Sequence, residues 1–391
     1  MSEIIQKLIE DFDSSFYFYD LDGFEAHLKS IKAELHPDIK IWYATKANPL
    51  SKILSILNEN GFGADVASLG ELHQAKTAGV KNLISTGPAK SPKYLKTLME
   101  NNVSTIIIES IQQLQDLNQA AGNLGRRQDV LIRLQLDWSS SSKSVLGGSG
   151  ITPFGLHPLD WEKENFTQYT HLNIIGLHCF QWGNILDAAE LKKIWDQTIS
   201  ECVNFAHKKN INLKVLDLGG GLGVSYKDDK KLPFSSAHEI LLEMKEKYSL
   251  QEIWLELGRF SIAEYGHYFT KVIDVKNVRG KKIVVTEGGI NHLARPALVS
   301  ESFPISAMRT SVDTTYSVHG PLCTALDYLG DHELPLDLKP GEWLHFKKTG
   351  AYGFTESMPY FLCHGLCGEA YLHHGKVVVA RSPETSESWM K

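Results

Sequence analysis

The sequence predicts an α/β protein built as a (β/α)8 barrel with a C-terminal antiparallel β-sandwich or β-barrel domain. Three observations carry that expectation. From residue 24 to residue 262, short apolar runs alternate with stretches whose apolar side chains recur every three or four positions, as strands separated by amphipathic helices do. Beyond residue 263 the texture changes to period-two alternation broken by Gly, Pro and Asn, as in strands solvated on one face. The chain has 391 residues, enough for two domains and a sizeable core. The expected domains are 24–262 for the barrel, and 1–23 with 263–391 for the β domain, whose sheet the strand-like SSFYFYDLD at 14–22 would complete.

Barrel strands are expected, in order, at Ile39–Tyr43, Gly63–Val66, Leu83–Ser85, Thr105–Ile108, Val130–Leu136, Ile174–His178, Val215–Leu218 and Ile253–Glu256. Between them, GELHQAKTAG, YLKTLMENN, IQQLQDLNQAAG, LKKIWDQTISECVNFAHKK and AHEILLEMKEKY each gather their apolar residues on one helical face. Such alternation favours a closed parallel barrel; the strand count alone leaves an open doubly wound sheet as the alternative. In the second domain HYFTKVIDVKNV, KKIVVTEGG, EWLHFKKTG, EAYLHHG and KVVVARS read as strands.

Hydrophobic residues make up 42% of the chain and charged residues 22%, the balance of an ordinary globular protein. The net charge of −6, with no basic stripe, argues against nucleic acid and anionic membranes as partners. The opening MSEIIQKLIEDFDSS lacks the apolar core of a secretion signal, and no apolar run is long enough to cross a bilayer. Five scattered cysteines fit free thiols in a reducing compartment. A cytoplasmic protein acting on a small molecule is the expectation.

In a barrel, chemistry collects at the C-terminal ends of the strands. Those ends give Lys46, Asp65, His178, the glycine run after Leu218, and Glu256. Lys46 closes the apolar run of IKIWYATKANPL (39–50). An amine at the mouth of a buried strand loses solvation, becomes less basic and turns nucleophilic, although position alone fits equally a lysine that ends a strand in solvent. LDLGGGLGVSY (216–226) supplies Gly219, Gly220, Gly221 and Gly223, which let backbone amides surround a phosphate. A tight turn uses the same residues, and no Lys-Ser or Lys-Thr of a P-loop follows. LELGRF (255–260) places Glu256 and Arg259 after the last strand. They read either as a structural ion pair, or as a carboxylate holding a proton on a heterocyclic nitrogen beside a guanidinium that grips phosphate or carboxylate.

The β domain adds Cys323 and Asp327 in HGPLCTALDYLG (319–330) and Tyr352 in KKTGAYGFTES (347–357). The thiol reads as inert packing or as a proton donor at the edge of a site. Cys363, His364 and Cys367, near His373 and His374, fit no common zinc spacing, and no metal is expected.

Together these residues resemble the fold-type III decarboxylases that use pyridoxal 5′-phosphate (PLP), the diaminopimelate and ornithine decarboxylase-like family. The resemblance covers most of the chain through YATKANPL, GADVASLGEL, STGPAK, GLHC, LDLGGGLGVSY, LELGR, NHLARPAL, GPLCTALD and GAYGF, in the family's order. It implies an amino-acid carboxy-lyase in which Lys46 anchors PLP covalently with Asp65 beside it. Gly219, Gly220, Gly221, Gly258, Arg259 and Tyr352 would surround the phosphate or nearby substrate groups, and Glu256 would bind the pyridine nitrogen. It further implies that Cys323 comes from a partner subunit and handles the proton that replaces carbon dioxide, making a homodimer with shared sites. Substrate would meet Arg259, Arg295, Val299, Thr324, Asp327 and Tyr352.

Three departures matter. The family's cofactor-stacking histidine falls on Phe180, with His178 two residues earlier as the other candidate. EPGR becomes Glu256-Leu257-Gly258-Arg259, keeping both charges. The acidic residue after the cysteine and the tyrosine ending RPALY become Thr324 and Val299, while Arg295 remains. A distal ammonium left without its acceptor is costly to bury. The Cys-Thr loop resembles members from antibiotic and siderophore biosynthesis. The expected reaction is therefore decarboxylation of a diamino acid, or of an amino acid joined to a larger group. Diaminopimelate decarboxylation, PLP-dependent racemisation and a non-catalytic PLP-binding regulator are the alternatives.

Overall fold

The computed structural model describes residues 2–138, 148, 150–309 and 312–390. Helix α1 (Ser2–Phe12), strand β1 (Phe16–Asp20) and helix α2 (Leu21–Glu34) lead into the barrel. Its strands are β2 (Ile39–Ala44), β3 (Gly63–Asp65), β4 (Leu83–Ser85), β5 (Thr105–Ile108), β6 (Gln128–Arg133), β7 (Leu172–His178), β8 (Val215–Asp217) and β9 (Glu252–Glu256). All pair in parallel, and β2 pairs with β9 to close the ring, Trp42 standing opposite Glu256. Closure excludes the open doubly wound sheet.

Most outer helices begin where a side chain satisfies free backbone amides. Ser68, Ser91 and Ser110 accept from Glu71, Tyr94 and Gln113 at the starts of α3′s successors α4 (Leu69–Thr77), α5 (Pro92–Glu100) and α6 (Ile111–Asn123), α3 itself being Ser51–Glu59. Each such cap contributes about 1 kcal/mol. After the short α7 (Pro158–Glu162), Asp187 caps the long α8 (Ala188–Lys209), which Asn210 ends in the left-handed conformation. Helix α9 (Phe234–Lys247) precedes the last barrel strand. The barrel interior is plugged by Trp42, Ile84, Ile107, Leu131, Ile175, Val215 and Trp254. Gly63 makes room for this plug, since a Cβ there would lie 2.4 Å from the Trp42 ring.

One expected strand is shifted. Val130–Leu136 is observed as β6, which ends at Arg133; beyond it the chain keeps only a bridge from Leu134 to Leu156. The apolar alternation continues through Leu134 and Leu136, but the ladder with β7 does not.

By the density of its contacts the chain divides into two units, 27–224 with 230–260, and 1–26 with 225–229 and 261–391. The second unit is a nine-stranded sheet. Short α10 (Arg259–Ile262) leads to β10 (Gly266–Val278) and β11 (Lys281–Thr286), and α11 (Arg295–Val299) to β12 (Ile305–Ala307), β13 (Asp313–His319), β14 (Tyr328–Pro335), β15 (Trp343–Phe346), β16 (Gly368–His373) and β17 (Lys376–Arg381). Strand β1 sits between β10 and β16. The sheet is not purely antiparallel as expected: β1 runs parallel to β16, and β11 to β13. Its core gathers Phe16, Phe18, Phe269, Trp343 and Ala370, onto which α1 lays Ile5 and Leu8. Strands β12 to β14 were not foreseen. No described helix is long and apolar enough to cross a membrane.

Candidate active site

Every barrel strand delivers a polar group to the C-terminal rim. Asp65, Arg133, His178, Asp217 and Glu256 are the last residues of β3, β6, β7, β8 and β9, Thr86 and Glu109 directly follow β4 and β5, and Lys46 follows β2 by two. All except Lys46 are buried; Lys46 stands exposed on a single 3-10 turn whose neighbours Thr45 and Ala47 are fully buried. The turn is held from below, because Tyr43 Oη donates to the Asn48 carbonyl (3.0 Å) and Asn48 Oδ1 accepts from the Leu50 amide (3.1 Å). Gly258 packs against it, a Cβ there lying 3.0 Å from that of Ala47.

The charges are arranged in two groups. On one side Glu109 receives both contacts of Arg133 Nη1 at 3.1 Å, accepts from the Gly87 amide, and lies 3.8 Å from Lys90 Nζ. Burial would raise the Glu109 carboxyl, but Arg133 and Lys90 outweigh it and hold it below the ordinary range. Burial pushes the Lys90 amine down to about 8. On the other side Asp65, bonded to the Thr86 amide and hydroxyl at 2.8 and 2.6 Å, is pushed up to about 6 by burial and by Glu256.

Between them lie His178, Asp217 and Glu256. Burial, then Arg133, keeps His178 well below its usual value and therefore neutral. Burial and the neighbouring Glu256 push the Asp217 carboxyl well up. Burial also raises Glu256, against the pull of Lys46 and Arg133. His178 Nε2 is 3.2 Å from Glu256 Oε1, but the two are not aligned for a hydrogen bond. Both His178 nitrogens, Glu256 Oε1 and Asp217 Oδ2 are buried without a hydrogen-bond partner among the described residues. Each such atom costs about 1–3 kcal/mol, which a ligand presenting an N–H to Glu256 would relieve.

Beside this group the glycine run makes a tight cradle. Gly219 and Gly221 have φ of +64° and +113°, which L side chains avoid. A Cβ on Gly219 would lie 2.3 Å from the Phe180 ring, and one on Gly220 would lie 3.0 Å from the Glu256 carbonyl. The Asp217 carboxyl accepts from the Gly219 amide at 2.8 Å, and the Glu256 amide donates to the Gly219 carbonyl at 2.7 Å. The cradle is thus pinned to two barrel strands, with the half-buried Phe180 covering it and the half-buried Arg259 at the start of α10. An orphaned carboxylate, a cradle that a side chain would fill and a lysine at the mouth fit PLP.

The expected residues of the β unit fall in two places. Cys323 is exposed and Thr324 half-buried in the 320–327 loop. Asp327 is buried, and its two carboxylate oxygens accept from the Ile290 and Leu322 amides at 2.7 Å each, so it props the loop. Elsewhere Arg295 lies over the Tyr352 ring (4.8 Å) and pairs with Glu356 Oε2 at 2.6 Å, with the half-buried Val299 closing the same short helix. Tyr352 holds a φ of +55°.

Sequence reasoning missed Lys90, Glu109, Arg133, Asp217 and Glu356. Glu109, Arg133 and Asp217 carried a usable signal, since each lies at or directly beyond a strand's end. Glu356 carried none, because it lies 61 residues from Arg295.

Comparison with known proteins places the site in context. Residues 21–263 match the family model described as pyridoxal-dependent decarboxylase, pyridoxal binding domain. The chain is 29% identical to a diaminopimelate decarboxylase of Aquifex aeolicus, over 97% of this chain and 91% of that protein. It is 27% identical to the L-glutamyl-[BtrI acyl-carrier protein] decarboxylase of Niallia circulans, over 98% and 94%. It is 28% identical to the 2-[(L-alanin-3-ylcarbamoyl)methyl]-2-hydroxybutanedioate decarboxylase of Staphylococcus aureus, over 92% and 96%. Its fold is similar to a crystal structure of diaminopimelate decarboxylase from Helicobacter pylori complexed with L-lysine, with a TM-score of 0.89 at 26% identity over 98% of both chains.

Proposed function

The chain belongs to the family of PLP-dependent decarboxylases and acts on an amino acid; from that premise we propose that its substrate is an amino acid whose far end is already joined to a larger group. The ion pair between Arg295 and Glu356 carries this reading. The family resemblance assigns Arg295 to the substrate's far end, yet here its charge is matched by a carboxylate of the protein itself. A free distal carboxylate would have to displace Glu356, and a free distal ammonium would find Thr324 and Val299 where an acceptor is needed. An amide- or ester-linked tail carries neither charge. The name of the Niallia relative supports the same reading; that of the Staphylococcus relative supports an amino acid joined to a larger group, though one whose butanedioate end keeps its charges. The retained Arg295 and the diaminopimelate decarboxylases among the relatives favour a second reading, free diaminopimelate.

PLP, when bound, supplies an electron-poor ring that takes up the electron pair left as the α-carboxylate departs as carbon dioxide. Lys46 would anchor it, and the Gly219–Gly221 cradle with Arg259 would hold its phosphate. Glu256, a carboxylate made more basic by burial, would hold the proton on its ring nitrogen. Phe180 would cover the ring, because it lies over Gly219 and Gly220, whereas His178 is buried beside Glu256. Cys323 of a second copy, or Lys46, would return a proton to carbon, making the active enzyme a homodimer.

The test is a panel of diaminopimelate, ornithine, lysine, glutamate, and citrate- or carrier-linked diamino acids, read by loss of mass equal to carbon dioxide. Turnover of a linked member above the free ones is expected. Turnover of diaminopimelate alone would reject the reading in favour of the second.

A further inference from the structure

At the turn between β16 and β17, two histidines adjacent in sequence aim their rings at the same atom. Neighbouring residues of a strand face opposite sides, but His374 and Gly375 turn the chain with φ of +50° and +68°. Asp22 holds that turn, its carboxylate accepting from the His374 amide at 2.6 Å and the Gly375 amide at 3.2 Å. The imidazoles consequently stack, 3.8 Å between centres and 26° from parallel. Their Nε2 atoms lie 3.2 Å (His373) and 3.5 Å (His374) from Glu25 Oε2 on α2.

We propose that Glu25, His373 and His374 form a binding site for a divalent transition-metal ion, with zinc the matching class, which fastens the hairpin to the first turns of α2. The three ligand atoms all lie within 4.8 Å of one another. A tetrahedral ion with arms of about 2.0–2.1 Å sets its ligand atoms about 3.3 Å apart, close to both separations measured from Glu25. Two imidazoles and one carboxylate suit zinc and its transition-metal neighbours and disfavour calcium and magnesium, which select oxygen. The two inner ligands are largely buried (Glu25 16% and His373 7% exposed), whereas His374 is 73% exposed and leaves room for water as a fourth ligand. No linear motif announces the site, because Glu25 lies 348 residues before His373.

The PLP-loaded enzyme should be dialysed against micromolar zinc, alongside Glu25→Gln and His374→Asn. The asparagine tolerates the left-handed turn while removing the imidazole. PLP matters because the other group of this kind among the described residues, His178 with Asp217 and Glu256, lies in the cofactor site. One zinc per chain is expected in the parent and none in either variant, with the parent's thermal midpoint raised a few degrees by zinc. Cobalt in its place should show d–d bands without a thiolate charge-transfer band. No zinc in the parent, retention by either variant, or a thiolate band (placing the ion on exposed Cys323 or Cys363) overturns the proposal.

Discussion

Lys46 and Lys90 are both lysines of the barrel rim, and their surroundings give them different tasks. Lys90 is locked into Glu109 and the Gly87 carbonyl, while Lys46 stands at the mouth on a turn braced by Tyr43 and Asn48. The carboxylates divide in the same way. Glu256 carries an oxygen with no partner among the described residues, so Glu256→Gln should lower kcat on the order of 10²-fold while the protein remains folded. A kcat within threefold of the parent would remove Glu256 from its assigned role. Burial and Glu256 hold the Asp217 carboxyl well above its ordinary range, which favours its neutral form, and Asn is nearly isosteric with a neutral carboxyl. Asp217→Asn should therefore leave kcat near the parent value at neutral pH, and a loss comparable to that of Glu256→Gln would mean Asp217 is charged. At this scale Lys46, Asp65, His178 and Glu256 were legible because each ends an apolar run. Asp217 was hidden inside LDLGGG, where the glycines drew attention, and Arg133 was hidden because Leu134 and Leu136 extend its apolar pattern past the true strand end.

Among the elements, the turn after β8 depends on glycine twice, for its left-handed φ and for its close approach to Phe180. Gly219→Ala should destabilise the protein by roughly 1–3 kcal/mol and weaken PLP retention, measured by denaturant unfolding and cofactor dissociation. Adding Phe180→Gly should recover part of the loss, since it removes the Phe180 Cβ and ring carbons that a Gly219 Cβ would strike but leaves φ at +64°. No recovery would mean that φ alone sets the cost. The barrel strands were readable because burial on both faces makes them continuous apolar runs. Strands β12 to β14 were not, for opposite physical reasons. In β13 only Tyr316, Ser317 and Val318 are buried, and β14 carries Gly330, Asp331 and a closing Pro335; tertiary pairing makes them strands where local pattern does not.

On the scale of the whole molecule, stability should fall with acid partly through one pair in the β unit. His345 Nε2 and His267 Nδ1 lie 3.0 Å apart. Burial pushes His267 down to about 4, with Lys347 adding to burial and Asp20 opposing it. Burial, then His267 and Lys347, pushes His345 down to about 3. A histidine lowered on folding leaves the unfolded chain binding more protons between its two pKa values, so stability drops as pH falls below about 6.5. Between pH 7 and pH 4.5 the parent should lose roughly 2 kcal/mol more than His345→Phe in urea unfolding; equal losses would contradict the assignment. Closure of the barrel is the other fact at this scale. Pairing β2 with β9 sets Trp42 opposite Glu256 and brings the Lys46 turn next to the Glu256 carboxylate, an adjacency that strand order alone could not supply. The most direct test is to reduce the PLP-loaded enzyme with borohydride and map the phosphopyridoxyl label by peptide mass. The label is expected on Lys46 and absent in Lys46→Ala; a label on Lys90, the buried amine of depressed basicity across the rim, would contradict the account.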